Sequence, residues 1–196
     1  KETRKKILDI AKPGEIDLVV GGPPCQGFST LGDKLSCDPR NNLFDSFADM
    51  VSILKPKYLL MENVKAMTTM YGGQFKDYVI QKFSDLGYDV SYVVLNAAEY
   101  GVPQNRERVF FFGTKENKSF SFPKKTHGEE KGMSPFETVD DWIMDIAGKE
   151  NVIPNHIPLN HSETVTRRYE LIPEGGKLPS PEKLPKEIRR SNFGNT

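Results

Sequence analysis

The sequence is poor in the residues that announce a site by themselves. Its 196 residues include two cysteines, three histidines and one tryptophan. Two cysteines, Cys25 and Cys37, do not make a disulfide scaffold and fit a reducing compartment. The histidines, His127, His156 and His161, stand without metal-ligand spacing, so no metal is expected. Charge of one sign is also missing: 27 acidic residues balance 27 basic ones. No overall field therefore steers the chain to a polyanion, although a local basic groove can survive inside a neutral total. No apolar run approaches the ~20 residues of a membrane span, and nothing at the start resembles a signal peptide. A cytoplasmic protein with no membrane partner is the expectation. No internal repeat is visible.

What is present is an alternation of short apolar runs and amphipathic stretches, in a chain long enough for one real core. Ile16–Val20 is β-branched and flanked by Gly and Pro, as a buried parallel strand should be. Leu43, Phe44, Phe47, Met50, Val51 and Leu54 share one helical face, which Asn41 or Asn42 can cap and Pro56 ends. Tyr58–Met61 reads as a second strand finishing at Glu62-Asn63. Phe75, Tyr78, Val79, Phe83 and Leu86 mark a second helix, stopped by Gly87. Strands at Tyr88–Leu95 and Val109–Phe112 follow. This spacing predicts an open α/β sheet. Beyond Lys115 proline, glycine and charge rise. Only Val139–Ile146 looks helical there, and residues 151–196 are expected to form loops and short turns.

One stretch stands apart, Gly21-Gly22-Pro23-Pro24-Cys25-Gln26-Gly27-Phe28-Ser29-Thr30. It places a cysteine in a stiff Pro/Gly loop directly after the first strand. Ligands of open α/β sheets bind at the carboxyl ends of the parallel strands, and Glu62 sits at the end of the next strand. Gln104, Arg106 and Arg108 recur every second residue, so an extended backbone would point all three to one side. A thiol, a carboxylate and two guanidinium groups can thus converge. Blander readings stand beside this one. A lone cysteine is ordinarily a small buried hydrophobe, a reading that suits Cys37. Glu62 could cap the following turn, and Gln104–Arg108 could be a solvated loop. A cysteine hydrolase is disfavoured, because no histidine lies near Cys25 and the nearest along the chain is His127.

Pro24-Cys25-Gln26, Glu62-Asn63-Val64 and Gln104-x-Arg106-x-Arg108, in this order and spacing, resemble the cytosine-5 DNA methyltransferases of bacterial type. The resemblance runs from about Lys6 to Thr114. It continues more weakly through Phe122-Pro123-x-x-Thr126-His127, Thr138–Ile146 and Ile172-Pro173-x-Gly175-Gly176. It implies a Rossmann-like sheet that uses S-adenosylmethionine, present here incompletely, and then the start of a small irregular target-recognition region. The implied division is residues 1–120 as part of the catalytic domain, 121–150 as a connecting segment and 151–196 as the beginning of target recognition.

The resemblance also implies a reaction. A thiolate at Cys25 adds to C6 of a cytosine flipped out of duplex DNA. Glu62 holds the N3 and amino edge of the ring, while Arg108, with Arg106 nearby, holds O2 and orients Glu62. C5 then takes the methyl group from S-adenosylmethionine. Cofactor contacts carry over to Asp9 and Ile10 near the adenine, Gly22 and Pro24 along the pocket wall, and Leu43 against the ring. Gln26, Ser29, Arg40 and Gln104 carry over to the DNA side, although a mobile polar loop is the plain alternative for Ser29 and Arg40. The implied setting is a monomer acting on double-stranded DNA, orphan or paired with a restriction endonuclease. A transfer-RNA cytosine-5 methyltransferase and a non-catalytic nucleic-acid-binding remnant are the alternatives.

The family's glycine-rich Phe-x-Gly-x-Gly segment and its closing helix are not found in this sequence. The chain is therefore read as a piece of a longer protein, and residues 1–196 alone are expected to bind the cofactor weakly or not at all.

Overall fold

The computed structural model of the chain describes residues 2–24, 42–116 and 120–189. Cys25, Gln26, Ser29, Cys37 and Arg40, together with the loop that joins them, lie outside the described residues. Two compact units are present, Lys1–Trp142 and Ile143–Thr196.

The first unit is built on a four-stranded sheet, β1 (Leu18–Gly21), β2 (Tyr58–Val64), β3 (Asp89–Asn96) and β4 (Glu107–Thr114). Helices α1 (Glu2–Ile10), α2 (Asn42–Leu54), α3 (Gln74–Ser84) and α4 (Val139–Ile143) accompany it. The spatial order is β1-β2-β4-β3. β1 and β2 are parallel, and β4 is antiparallel to both β2 and β3. β1, β2 and β3 therefore run in one direction, and β4 returns between β2 and β3. β2 runs on through Glu62 to Val64, paired with β4 as far as Arg108.

The core lies on one face of the sheet. Leu59 and Met61 of β2, with Val109 and Phe111 of β4, are fully buried there. They sit at alternate positions, as the two-residue period of a strand requires. Against them α2 packs Phe44, Ala48 and Val51, and α3 packs Phe75, Val79 and Phe83. Phe44 meets Phe75 and Phe83 edge-on, with ring centroids 5.9 and 5.8 Å apart. Such pairs add roughly 0.5–1.5 kcal/mol each to the burial of the rings. Gly87 has a positive φ of 84° just past α3, so the expected glycine stop is in place. Tyr88 is buried beside it, and its hydroxyl donates to Pro56 O at 2.7 Å.

On the opposite face of the sheet Tyr58 stacks with Phe112, and Phe112 with Phe120 at 3.7 Å between centroids. Before α4, Thr138 and Asp141 form a reciprocal cap. Asp141 Oδ2 accepts from Thr138 N at 2.8 Å, and Asp141 N donates to Thr138 Oγ1 at 3.3 Å. The Thr138 hydroxyl hydrogen bond, with its amide, holds the Asp141 carboxyl below the usual range.

Three elements depart from expectation. α1 occupies Glu2–Ile10, where no helix was read, because its apolar residues are few and clustered at its end. The stretch 139–146 is helical as expected, but its regular part ends at Ile143 and a 3-10 turn, Met144–Ile146, follows. In the second unit, where only loops and turns were expected, α5 (Glu163–Glu170) forms. Arg168 ties it down, donating from Nη2 to Arg189 O at 3.1 Å and from Nε to Ile188 O. Among the described residues no helix is long and apolar enough to cross a membrane.

Two outcomes follow from the core. Phe83→Ala should lower the unfolding free energy by about 3–5 kcal/mol, the usual cost of deleting a fully buried ring, in a urea titration. Burial pushes the Tyr88 hydroxyl up to about 12 from 10.0, so the folded state favours the neutral phenol. That contribution is complete below pH 10 and is lost as pH rises from 10 through about 12. Tyr88→Phe should therefore flatten part of the alkaline fall in stability, and an unchanged profile would contradict this assignment.

Candidate active site

β1 and β2 end at the same edge, with Gly21 level with Met61. The chain leaves β1 through Gly22, Pro23 and Pro24 towards Cys25, while β2 continues into Glu62 and Asn63. Glu62 points to the face opposite the core, since its neighbours Met61 and Asn63 are buried. Gly22 lies so near Glu62 that a Cβ there would stand 3.2 Å from its Oε2. A side chain there would press the carboxylate to shift by a few tenths of an ångström.

Arg108 is one strand over. Its register partner on β2 is Val64, which makes it the diagonal neighbour of Glu62 on the same face. Arg108 Nε lies 3.0 Å from Glu62 Oε1. Both side chains keep contact with solvent, at 24% and 37% exposure. A pair of this kind contributes on the order of 0.2–1 kcal/mol, too little to matter for the fold. The pair leaves the Oε2 edge of Glu62 turned towards Gly22. Arg108 Nη1 also donates to Glu107 O at 2.8 Å, and Lys65 Nζ sits 2.7 Å from Glu107 Oε1.

Asn63 performs a structural task that sequence reasoning did not assign. Its buried side chain donates from Nδ2 to Pro23 O at 2.8 Å and accepts from Val64 N at 2.9 Å. One amide thus ties the segment just before Cys25 to the strand that carries Glu62. An asparagine directly after a candidate carboxylate was the available signal.

Other expected residues are more scattered. The expectation that Gln104, Arg106 and Arg108 lie on one extended run is corrected. Gln104 N donates to Val102 O at 2.7 Å, a tight turn that takes residue 104 out of the alternation. Arg106 is exposed, and its guanidinium has no ion-pair partner among the described residues. Asp9 is exposed and Ile10 ends α1. Leu43 opens α2 and is 47% exposed. Gly22 and Pro24 follow the carboxyl end of β1.

A sequence model of the C-5 cytosine-specific DNA methylases matches residues 1–192. The chain belongs to this family. It is 38% identical over 169 residues to the type II methyltransferase M1.HphI of Haemophilus parahaemolyticus, covering 83% of this chain and 44% of that protein. It is 39% identical over 189 residues to the type II methyltransferase M.AquIA of Picosynechococcus, covering 86% of this chain and 75% of that protein. A crystal structure described as a DNA modification methyltransferase encoded within a prophage (E. coli) superposes with a TM-score of 0.54 at 25% identity. The match covers 90% of this chain and 50% of that one. This DNA methylase chain therefore spans less than half of the Haemophilus relative and half of the E. coli structure.

The two ties at the site should separate in a denaturation experiment. Arg108→Ala is expected to change the unfolding free energy by less than about 1 kcal/mol. Asn63→Ala should cost about 1–3 kcal/mol, because it removes a buried amide and leaves the part-buried Pro23 O and Val64 N without it. Equal costs would show that the pair, and not the amide, holds this edge together.

Proposed function

We propose that the protein containing this chain methylates C5 of cytosine in double-stranded DNA, with Cys25 as nucleophile and S-adenosylmethionine as methyl donor. The observation that carries the reading is the Glu62–Arg108 pair, set beside Gly22 at the strand end that leads into Cys25. Family membership and the type II methyltransferases among the relatives support it. Those relatives also favour DNA over transfer RNA as substrate. An intact carboxylate–guanidinium pair speaks against a binding remnant, which has no chemical use for one.

The reading divides the labour as follows. The Cys25 thiolate adds to C6 of the flipped base, forming a C–S bond and moving electron density towards N3. Glu62, as the protonated acid, would face that ring edge and hand N3 its proton, becoming a carboxylate whose other oxygen stays on Arg108 Nε. Arg108 keeps the carboxylate from rotating, and with Arg106 it offers donors to the O2 atom. After methylation, removal of the C5 proton re-forms the double bond and releases the Cys25 sulfur. The donor reading is supported at one position by the missing side chain of Gly22, which leaves the backbone uncovered beside Glu62 Oε2. Gly22 and Pro24 would line the pocket, with Leu43 as the apolar contact and Asp9 and Ile10 at the adenine end. Bound there, S-adenosylmethionine supplies the methyl group.

Gln26, Ser29 and Arg40 would contact DNA, as would Gln104 from its turn. A cytoplasmic monomer, with or without a cognate restriction endonuclease, completes the reading.

In the full-length protein with cofactor, duplex DNA carrying 5-fluorocytosine should form a covalent adduct stable in a denaturing gel. Substitution at C5 blocks loss of the group that would free the enzyme. Cys25→Ser should abolish the band. A wild-type protein that binds this DNA and forms no adduct would overturn the mechanism.

A further inference from the structure

The loop between β3 and β4 is closed at its neck by one side chain. β3 ends at Asn96, which pairs with Glu107, so the next pair along the ladder is Ala97 with Arg106. Half of that pair is regular: Ala97 N donates to Arg106 O at 3.0 Å. The other half is not. Ala97 O, the acceptor an antiparallel ladder would offer to Arg106 N, is spent on the 3-10 turn Ala97–Tyr100, where it accepts from Gly101 N and Val102 N. The Asn96 side chain takes its place. Its Oδ1 accepts from Arg106 N at 2.9 Å and from Ala98 N at 3.3 Å, while its Nδ2 donates to Asn105 Oδ1 at 3.2 Å.

The far side of the loop is held as well. Glu99 O accepts from Thr126 N and His127 N at 3.0 and 3.1 Å, and Tyr100 donates to Pro123 O at 3.0 Å. The His127 ring fills the space beside Gly101, where a Cβ would stand 2.7 Å from its Cε1. With the far side fixed, the direction in which Arg106 leaves the backbone is decided at the neck. Residues 106 and 108 are two apart on entry to β4, so a backbone held in ladder geometry at 106 sends both arginines to the Glu62 face.

We propose that Asn96 is a positioning residue of the reaction. By replacing the Ala97 carbonyl as the acceptor for Arg106 N–H, it fixes the Arg106 side chain on the face shared by Glu62 and Arg108. The inference rests on the functional reading above for what Arg106 then holds, and on the hydrogen bonds alone for how Arg106 is held.

The experiment uses the full-length protein and reads two quantities. One is the exchange rate of the Arg106 amide hydrogen, and the other is the rate of adduct formation on 5-fluorocytosine DNA. Asn96→Ala should speed the exchange by about fivefold or more, the scale of one net hydrogen bond, and slow adduct formation by a similar factor. Asn96→Asp keeps the acceptor oxygen and should restore both. In an Arg106→Ala background, Asn96→Ala should have little further effect on the rate, because residues acting through one another are not additive. Unchanged exchange in Asn96→Ala, or additive losses in the double variant, would overturn the proposal. If Asn96→Ala does not fold, Asn96→Ser, with a shorter reach, takes its place in both comparisons. A wild-type protein without adduct would defeat the functional reading, and the amide exchange would still decide whether Asn96 fixes Arg106.

Discussion

Glu62 and Arg108 meet because β4 runs back between β2 and β3, and the rest of the site depends on that pairing. In an antiparallel ladder, diagonal neighbours on one face come within reach of long side chains. The register that sets Val64 opposite Arg108 leaves Glu62 as that diagonal partner. A shift of one residue would turn Arg108 to the core face and carry Val109 and Phe111 out of it. The register is therefore enforced by the core. Burial of Leu59, Met61, Val109 and Phe111 contributes on the order of 1.5–3 kcal/mol per side chain, whereas the ion pair it aligns contributes a fraction of that. The core and the candidate site sit on opposite faces of the same strands.

This arrangement explains which parts were legible in the sequence. The helical faces of α2 and α3 and the strands β2 and β4 follow from apolar periodicity that burial imposes, whereas β1, expected to be buried, leaves Leu18 and Val20 exposed. The parallel neighbours β1 and β2, with Gly22 and Glu62 at a common edge, follow from the position of ligands in such sheets. Other features leave no periodic trace. α1 and α5 are polar over most of their length. In α5, Val165 and Tyr169 alone repeat at helical spacing, and the surrounding prolines suggest turns. The insertion of β4 between β2 and β3 is a matter of strand order, which alternation does not encode.

Gln104 shows a different limit. Its spacing from Arg106 and Arg108 invites a single extended run, and a hydrogen bond between Gln104 N and Val102 O breaks it. The two-residue period holds only where the ladder reaches, and here regular pairing begins at Glu107. Arg108 was placed correctly because it lies inside that ladder. Arg106, at its margin, needs an additional acceptor to share the same geometry, and the signal for this was an asparagine at the end of the preceding strand.

Asparagine serves this edge of the sheet twice, for a common physical reason. At the carboxyl ends of β2 and β3 the outgoing backbone turns away, and polar groups that would have paired in the ladder lose their partners. An amide side chain has both a donor and an acceptor on a short arm, so it can replace either half of a peptide unit. Asn63 uses its donor on Pro23 O and its acceptor on Val64 N. Asn96 uses its acceptor on Arg106 N and Ala98 N and its donor on Asn105. Aspartate would keep the acceptor and lose only the donor, serine would lack the reach to both partners, and leucine everything but volume. The result is that the segment leading to Cys25 and the segment carrying Arg106 are each fastened to the end of a strand rather than to a loop. A site made of irregular backbone thereby takes its rigidity from the sheet.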